Sequence, residues 1–245
     1  VNIKEKIEKL KREKDAVILV HNYQIPEVQE VADFLGDSLD LSRKAQKTDA
    51  RIIVFAGVRF MAETAKILSP KKKVLLTRKS AGCPMAEMIT PSELKYMKKK
   101  YPNAKVVSYV NTTAEIKAES YICCTSANAA KVVKSIDVKR IIFVPDRNLA
   151  NWVSRFTDKE VIPYNGFCYV HERFKKEDVV RAKERYPDAA VIVHPECKKE
   201  VIDLADEVLS TNGMVSFAKK TDKRVIVVGT EEGLIARLKR ENPEK

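Results

Sequence analysis

Three stretches of the chain align with one another without gaps, and that repetition limits the possible fold more than any other feature. AVILVHNYQIPEVQEVADFLGDS begins at Ala16, AKVVSYVNTTAEIKAESYICCTS at Ala104 and AAVIVHPECKKEVIDLADEVLST at Ala189. Each opens on a short β-branched run (Val17 to Val20, Val106 and Val107, Val191 to Val193) that reads as a buried parallel strand. A helix is expected next, clearest in Val28, Val31, Ala32, Leu35 and in Val201, Leu204, Ala205, Val208, where apolar residues recur at helical spacing.

The register continues downstream. RIIVFAG from Arg51, RIIFVPD from Arg140 and RVIVVGT from Arg224 form a second matched strand set, with Gly57, Pro145 and Gly229 read as equivalent turn positions. Tyr101-Pro102-Asn103-Ala104 and Tyr186-Pro187-Asp188-Ala189 end the preceding helices alike. Alternating strand and helix calls for parallel sheets covered by helices on both faces. The expected architecture is α/β: three homologous αβα units in a pseudo-threefold arrangement around a central active site, divided at residues 1–87, 88–172 and 173–245.

Polar residues fall in the same register. At the end of the first strand the copies carry His21, Tyr109 and His194; two residues on stand Tyr23, Asn111 and Glu196, and further along Ser38, Ser126 and Thr211. Ligands of parallel α/β sheets bind outside the carboxyl ends of the strands, so all nine residues would face one cavity. The three hydroxyl residues read individually as helix N-caps, and three helix N-termini aimed at one cavity make an anion site suited to carboxylate or phosphate. All three histidines of the chain, His21, His171 and His194, belong to this set or lie beside Cys168.

Composition narrows the class. A net charge of +12 admits nucleic acid, an acidic membrane or anionic small substrates, but the basic residues, as in Lys95 to Lys100 and Lys131 to Lys139, mix with apolar residues on helical segments and are not interleaved with aromatics. That favours a solvated surface over a nucleic-acid partner. Five cysteines without a CxxC pair point to a reducing, intracellular setting. No run approaches the ~20 apolar residues of a membrane span, and the N-terminal pattern with Ile3, Ile7 and Leu10 on one helical face is not a signal peptide.

Two cysteines occupy matched loops. Cys83 follows Gly82 and Cys168 lies just after Gly166, and they are separated by the same interval as Ala104 and Ala189. Thiolates brought together by threefold symmetry suit an iron–sulfur cluster with one iron left open as a Lewis acid. A third copy of the loop would place another cysteine roughly ten residues beyond Lys245. Cys123, Cys124 and Cys197 read as buried structural thiols instead. Arg59 and Arg147 are also matched and would add positive charge to the cavity, though Glu231 stands in their place in the third copy, so a surface role is as good a reading. A zinc hydrolase built on His21, His194 and Glu196 lacks a helical HExxH arrangement and leaves the cysteine match unexplained.

Read together, HNYQ at His21, GDSL at Gly36, FMAETA at Phe60, GCPMAEM at Gly82, CTSANA at Cys124, GFCYVHERF at Gly166, HPEC at His194 and STNGM at Ser210 resemble the quinolinate synthase (NadA) family. The resemblance implies a cytoplasmic transferase of pyridine nucleotide biosynthesis that condenses iminoaspartate with dihydroxyacetone phosphate, giving quinolinate, phosphate and water. It implies a 4Fe-4S cluster with Cys83 and Cys168 as ligands and a third cysteine outside this chain. His21, Tyr23, Ser38, Tyr109, Asn111, Ser126, His171, His194, Glu196, Ser210 and Thr211 would line the substrate cavity. Glu196 and Tyr23 are the expected proton-transfer residues, with His21 and Tyr109 beside them. The expected partners are the small anionic substrates and, in the pathway, the L-aspartate oxidase or dehydrogenase that supplies iminoaspartate; neither nucleic acid nor membrane is expected.

Overall fold

The computed structural model describes residues 2–245. They form two compact units, Val1–Cys83 with Glu232–Arg237, and Pro84–Glu231 with Leu238–Lys245.

In the first unit the elements run α1 (Ile3–Lys14), β1 (Ala16–His21), α2 (Pro26–Gln29), β2 (Phe34–Gly36), α3 (Ser38–Lys47), β3 (Ile52–Ala56), α4 (Arg59–Leu68) and β4 (Lys73–Leu76). The strands pair in parallel in the order β2-β1-β3-β4. The β-branched run of β1 is buried on both faces, as a central parallel strand requires. Of the apolar face of α1, Ile7 reaches the core, whereas Ile3 and Leu10 are exposed.

The second unit carries two sheets. Its first half comprises α5 (Pro91–Lys100), β5 (Lys105–Tyr109), α6 (Ala114–Ala118), β6 (Ile122–Cys124), α7 (Ala129–Ser135), β7 (Arg140–Val144), α8 (Arg147–Ser154) and β8 (Glu160–Pro163). The order is β6-β5-β7-β8, the arrangement of the first unit again. After α9 (Lys176–Arg185) come β9 (Ala190–Val193), α10 (Lys199–Ile202), β10 (Glu207–Val208), α11 (Thr211–Lys220) and β11 (Ile226–Gly229), paired as β10-β9-β11. The last helix, α12 (Gly233–Glu241), follows. All three sheets are parallel, as the alternation of strand and helix predicts. Phe143, Ile141, Ile142 and Ile192 are fully buried, each stabilising the fold by about 1.5–3 kcal/mol relative to exposure.

Local chemistry repeats with the sheets. Tyr101 (φ −128°, ψ 68°) and Tyr186 (φ −132°, ψ 73°) close α5 and α9 in the same conformation, because the following proline excludes a further helical residue. A capping box of Thr90 and Glu93 starts α5. Lys131 lies on α7 but Lys139 does not, since that helix ends at Ser135.

Two expectations fail in an instructive way. The helix expected across Val28 to Leu35 is one turn, α2, followed by a strand, β2; the same holds for Val201 to Val208, divided between α10 and β10. Helical spacing arises because turn and strand both feed one core. Val28, Ala32 and Leu35 meet Ile18, Val20 and Ala56, and Val201, Ala205 and Val208 meet Val191 and Val193. The N-caps also move: Asp37 caps α3 and Ser210 caps α11, leaving Ser38 and Thr211 as first helical residues. Asn128 precedes α7, and its side-chain oxygen accepts from Thr125 N, so Ser126 is not the cap.

Candidate functional site

The carboxyl ends of the strands carry the polar residues, as in other parallel α/β sheets. In the second unit, Tyr109 ends β5, Asp146 follows β7, Cys168 lies in the loop after β8, His194 and Glu196 follow β9, and Thr230 follows β11. His171 opens a short 3-10 turn after Cys168.

These groups form one buried network around Glu196, whose side chain is 4% exposed. Tyr109 Oη donates to Glu196 Oε1 at 2.6 Å, and His171 Nδ1 lies 2.9 Å from Glu196 Oε2. The same Nδ1 is 3.1 Å from Cys168 Sγ, while His171 Nε2 is 2.8 Å from Thr230 Oγ1. The His171 and His194 rings stack with centroids 4.7 Å apart. His194 Nδ1 accepts the Glu196 N–H at 3.3 Å, which in a neutral ring leaves the proton on Nε2.

Electrostatics divide two carboxyls. Burial works to raise the Glu196 pKa, but His194 and His171 charge and hydrogen bonds from His171 and Tyr109 outweigh it and hold the group below the usual carboxylate range. Asp146 goes the other way: burial first, then the Glu196 charge, raise its pKa well above that range, against opposing bonds from the Leu149, Cys168 and Asn148 N–H groups. Burial foremost, and the Glu196 charge with it, also push the Cys168 thiol up.

A supporting layer fixes this arrangement. Asp146 Oδ2 accepts from Cys168 N at 3.1 Å and its Oδ1 from Leu149 N at 2.6 Å. Asn148 Nδ2 donates to the Glu196 carbonyl at 3.1 Å and to Glu172 Oε2 at 2.9 Å, and Glu172 Oε1 pairs with Arg147 at 2.7 Å. Arg147, expected to add charge to the cavity or lie on the surface, is thus committed to Glu172 and to the face of Phe167, 4.5 Å away.

Sequence register alone could have found Asp146 and Thr230. RIIVFAG, RIIFVPD and RVIVVGT in strict alignment pair Gly57 with Asp146 and Thr230; reading turn positions at Gly57, Pro145 and Gly229 slips one residue and hides both polar groups. Asn148 carries no comparable signal.

The remaining expected residues have their own settings within each unit. His21, at the end of β1, accepts the Tyr23 N–H at Nδ1 (3.2 Å), the bond that His194 makes with Glu196, and the rings of His21 and Tyr23 meet edge to face at 4.7 Å. Gln29 ties this turn down through the Asn22, Gln24 and Gly233 carbonyls, and Arg237 reaches Asn22 Oδ1 at 2.7 Å. Ser38 begins α3, and Cys83 is half-buried in the loop after β4; all belong to the first unit. Ser126, Ser210 and Thr211 lie in the second unit at the starts of α7 and α11. Asn111 Oδ1 is buried with no hydrogen-bond partner among the described residues. Such an orphan costs about 1–3 kcal/mol, which a donor on a bound ligand would recover.

Gly166 sits where a side chain has no room, since a Cβ there would overlap the Pro145 carbonyl oxygen. Backbone cannot yield as a flexible side chain can, so Gly166→Ala should displace the Cys168 loop and cost about 1–3 kcal/mol. Thermal unfolding measures the loss; an unchanged midpoint would show that the loop moves freely.

Comparison with known proteins identifies the family. The sequence profile of NadA, described as quinolinate synthetase A protein, matches residues 5–245. Quinolinate synthase of Thermodesulfovibrio yellowstonii is 58% identical over 242 residues, covering 98% of this chain and 80% of that protein. The protein of the same name from Methanoregula boonei is 54% identical over 243 residues, covering 99% of this chain and 80% of the relative. That from Alkaliphilus metalliredigens is 54% identical over 245 residues, covering the whole chain and 81% of the relative. Matched over residues 5–245 by the family profile and over nearly its whole length by relatives above half identity, this chain belongs to the quinolinate synthase (NadA) family.

Proposed function

We propose that the chain condenses iminoaspartate with dihydroxyacetone phosphate, releasing phosphate and two waters to form quinolinate for NAD synthesis. The observation that carries this reading is the buried Tyr109, Glu196 and His171 network beside Cys168, in a chain of this family. Ring closure with loss of water needs protons moved at defined atoms, and this network offers a phenol, a carboxylate and imidazoles within hydrogen-bond reach of one another.

The donors fit a 4Fe-4S cluster in kind. Cys168 Sγ is a soft ligand of the kind that holds iron–sulfur clusters, with His171 and Glu196 beside it. Cys83 and Cys168 would each supply a thiolate. When bound, the cluster supplies an open iron that polarises a substrate oxygen and eases its loss as water.

The other roles belong to side chains. Glu196 takes up or relays the proton: burial alone would strengthen its hold on one, and the neighbouring imidazoles and the Tyr109 hydroxyl weaken that hold. Tyr109 moves a proton along its bond to Glu196 or orients substrate, and His171, His194 and Asn111 donate to or accept from the substrate's oxygens. Ser210 and Thr211, at the N-terminus of α11, bind carboxylate or phosphate, and Ser126 contacts substrate beside them. In the first unit His21, Tyr23 and Ser38 are the substrate-binding residues, and the three repeats span 1–87, 88–172 and 173–245. Five free cysteines and a biosynthetic family support a cytoplasmic location, with an iminoaspartate-producing L-aspartate oxidase or dehydrogenase upstream. Among the described residues no helix is long and apolar enough to cross a membrane.

The test is direct. The full-length protein, reconstituted anaerobically with iron and sulfide, should form quinolinate from iminoaspartate and dihydroxyacetone phosphate. A reconstituted, folded protein that consumes neither substrate would refute the reading.

A further inference from the structure

The acid–base network has a second property that the condensation does not require. Cys168 Sγ, His171 Nδ1 and a Glu196 carboxylate oxygen lie within 4.8 Å of one another. Two edges of that triangle are 3.1 Å and 2.9 Å. A tetrahedral zinc ion with ordinary bonds to sulfur, nitrogen and oxygen has donor-to-donor edges of roughly 3.3–3.6 Å. Those two edges therefore need to open by only a few tenths of an ångström, and the third, from Cys168 Sγ to the carboxylate, lies within 4.8 Å.

The surroundings already have the outer layer of a metal site. Thr230 Oγ1 holds His171 Nε2 at 2.8 Å, so that with Nδ1 on an ion the Nε2 proton has an acceptor. Tyr109 occupies Glu196 Oε1, leaving Oε2 as the oxygen that faces His171. His194 turns its Nδ1 to the Glu196 N–H, so the fourth position falls to water. One thiolate, one imidazole and one carboxylate suit zinc better than magnesium or calcium, which take oxygen ligands.

We propose that the cluster-free protein binds one zinc ion on Cys168, His171 and Glu196, and that this ion competes with iron for Cys168. Binding replaces the Cys168 thiol proton, which leaves to solvent, by the Zn–S bond, and the proton that His171 Nδ1 holds toward Glu196 by the Zn–N bond; that second proton leaves to solvent or, in a neutral ring, moves to Nε2. Zinc occupancy thereby blocks both the cluster thiolate and the proton-transfer carboxylate. The site needs no substrate, so it stands or falls separately from the proposed reaction.

The test uses the reduced, metal-free chain under anaerobic conditions. Zinc chloride is titrated against a chromophoric chelator, and cobalt(II) replaces zinc as a spectroscopic probe. One ion per chain is expected, and cobalt should show a thiolate-to-metal charge-transfer band. Cys168→Ala should lose that band, Thr230→Val should keep it while weakening zinc binding about 10- to 100-fold, and Cys83→Ala should change neither. Near-ultraviolet circular dichroism checks that each variant is folded. A charge-transfer band that survives Cys168→Ala, disappears with Cys83→Ala, or is absent from the unmodified chain would overturn the proposal. If Cys168→Ala fails to fold, Thr230→Val decides: unchanged zinc affinity places the ion elsewhere.

Discussion

Glu196→Gln in the full-length, cluster-bearing enzyme should abolish quinolinate formation while leaving the iron–sulfur absorption spectrum intact. Glutamine preserves the volume, and its carbonyl oxygen can still accept the Tyr109 hydroxyl proton now given to Oε1 at 2.6 Å. What disappears is the negative charge shared with His171, and with it the capacity to take up a proton at neutral pH. Loss of a positioned general base typically costs about 100- to 10,000-fold in rate. Asp146 cannot take over the charge at no cost, because burial raises its pKa, although removing the neighbouring Glu196 charge relieves part of that pressure. The measurement is single-turnover quinolinate formation alongside the spectrum. Turnover at the unmodified rate would reduce Glu196 to a structural acceptor, and Tyr23 would inherit the proton-transfer role.

The sequence carried the sheet architecture because strand order is written in repeated local patterns. A β-branched run, a turn, an Arg-initiated strand and a Tyr-Pro stop recur, and the three sheets share the order in which those strands pair. It also placed His194 and Glu196 together past the end of one strand, where the Glu196 N–H meets His194 Nδ1. The failures are equally physical. Val28, Ala32 and Leu35 repeat at helical spacing because one core collects them from a turn and a strand, and periodicity alone cannot separate those cases. Ser38 and Thr211 lost their expected capping role to the preceding Asp37 and Ser210, which have the non-helical backbone a cap requires. Asn148 was invisible because its partners, the Glu196 carbonyl and Glu172, are distant in sequence.

Cys168→Ala and Cys197→Ala, compared in the full-length protein, should have opposite outcomes although both thiols are free and only three residues separate Cys197 from a network histidine. Cys197 is fully buried among Val191, Val193, Val201 and Ile202, with its sulfur 3.7 Å from the Gly229 carbonyl. Burial, with the Glu196 charge second, pushes its thiol up to about 12, so at neutral pH it is an uncharged apolar group. Truncating it removes one sulfur from a packed cluster, for which a loss of about 1 kcal/mol is expected, with iron content unchanged. Cys168 is half-buried, 3.1 Å from His171 Nδ1, with its N–H fixed by Asp146. Its thiol is also pushed up when no metal is bound, but a coordinated metal deprotonates a thiol outright, so that elevation does not argue against a ligand role. Cys168→Ala should therefore lose the iron–sulfur absorption and with it all measurable quinolinate formation, at little cost in thermal stability of the cluster-free fold. Iron analysis, the visible spectrum and a melting curve on both variants separate the two roles. A Cys168→Ala protein with full iron content and activity would transfer the cluster to other thiols; a Cys197→Ala protein without iron would show that the buried sulfur is a ligand and not packing.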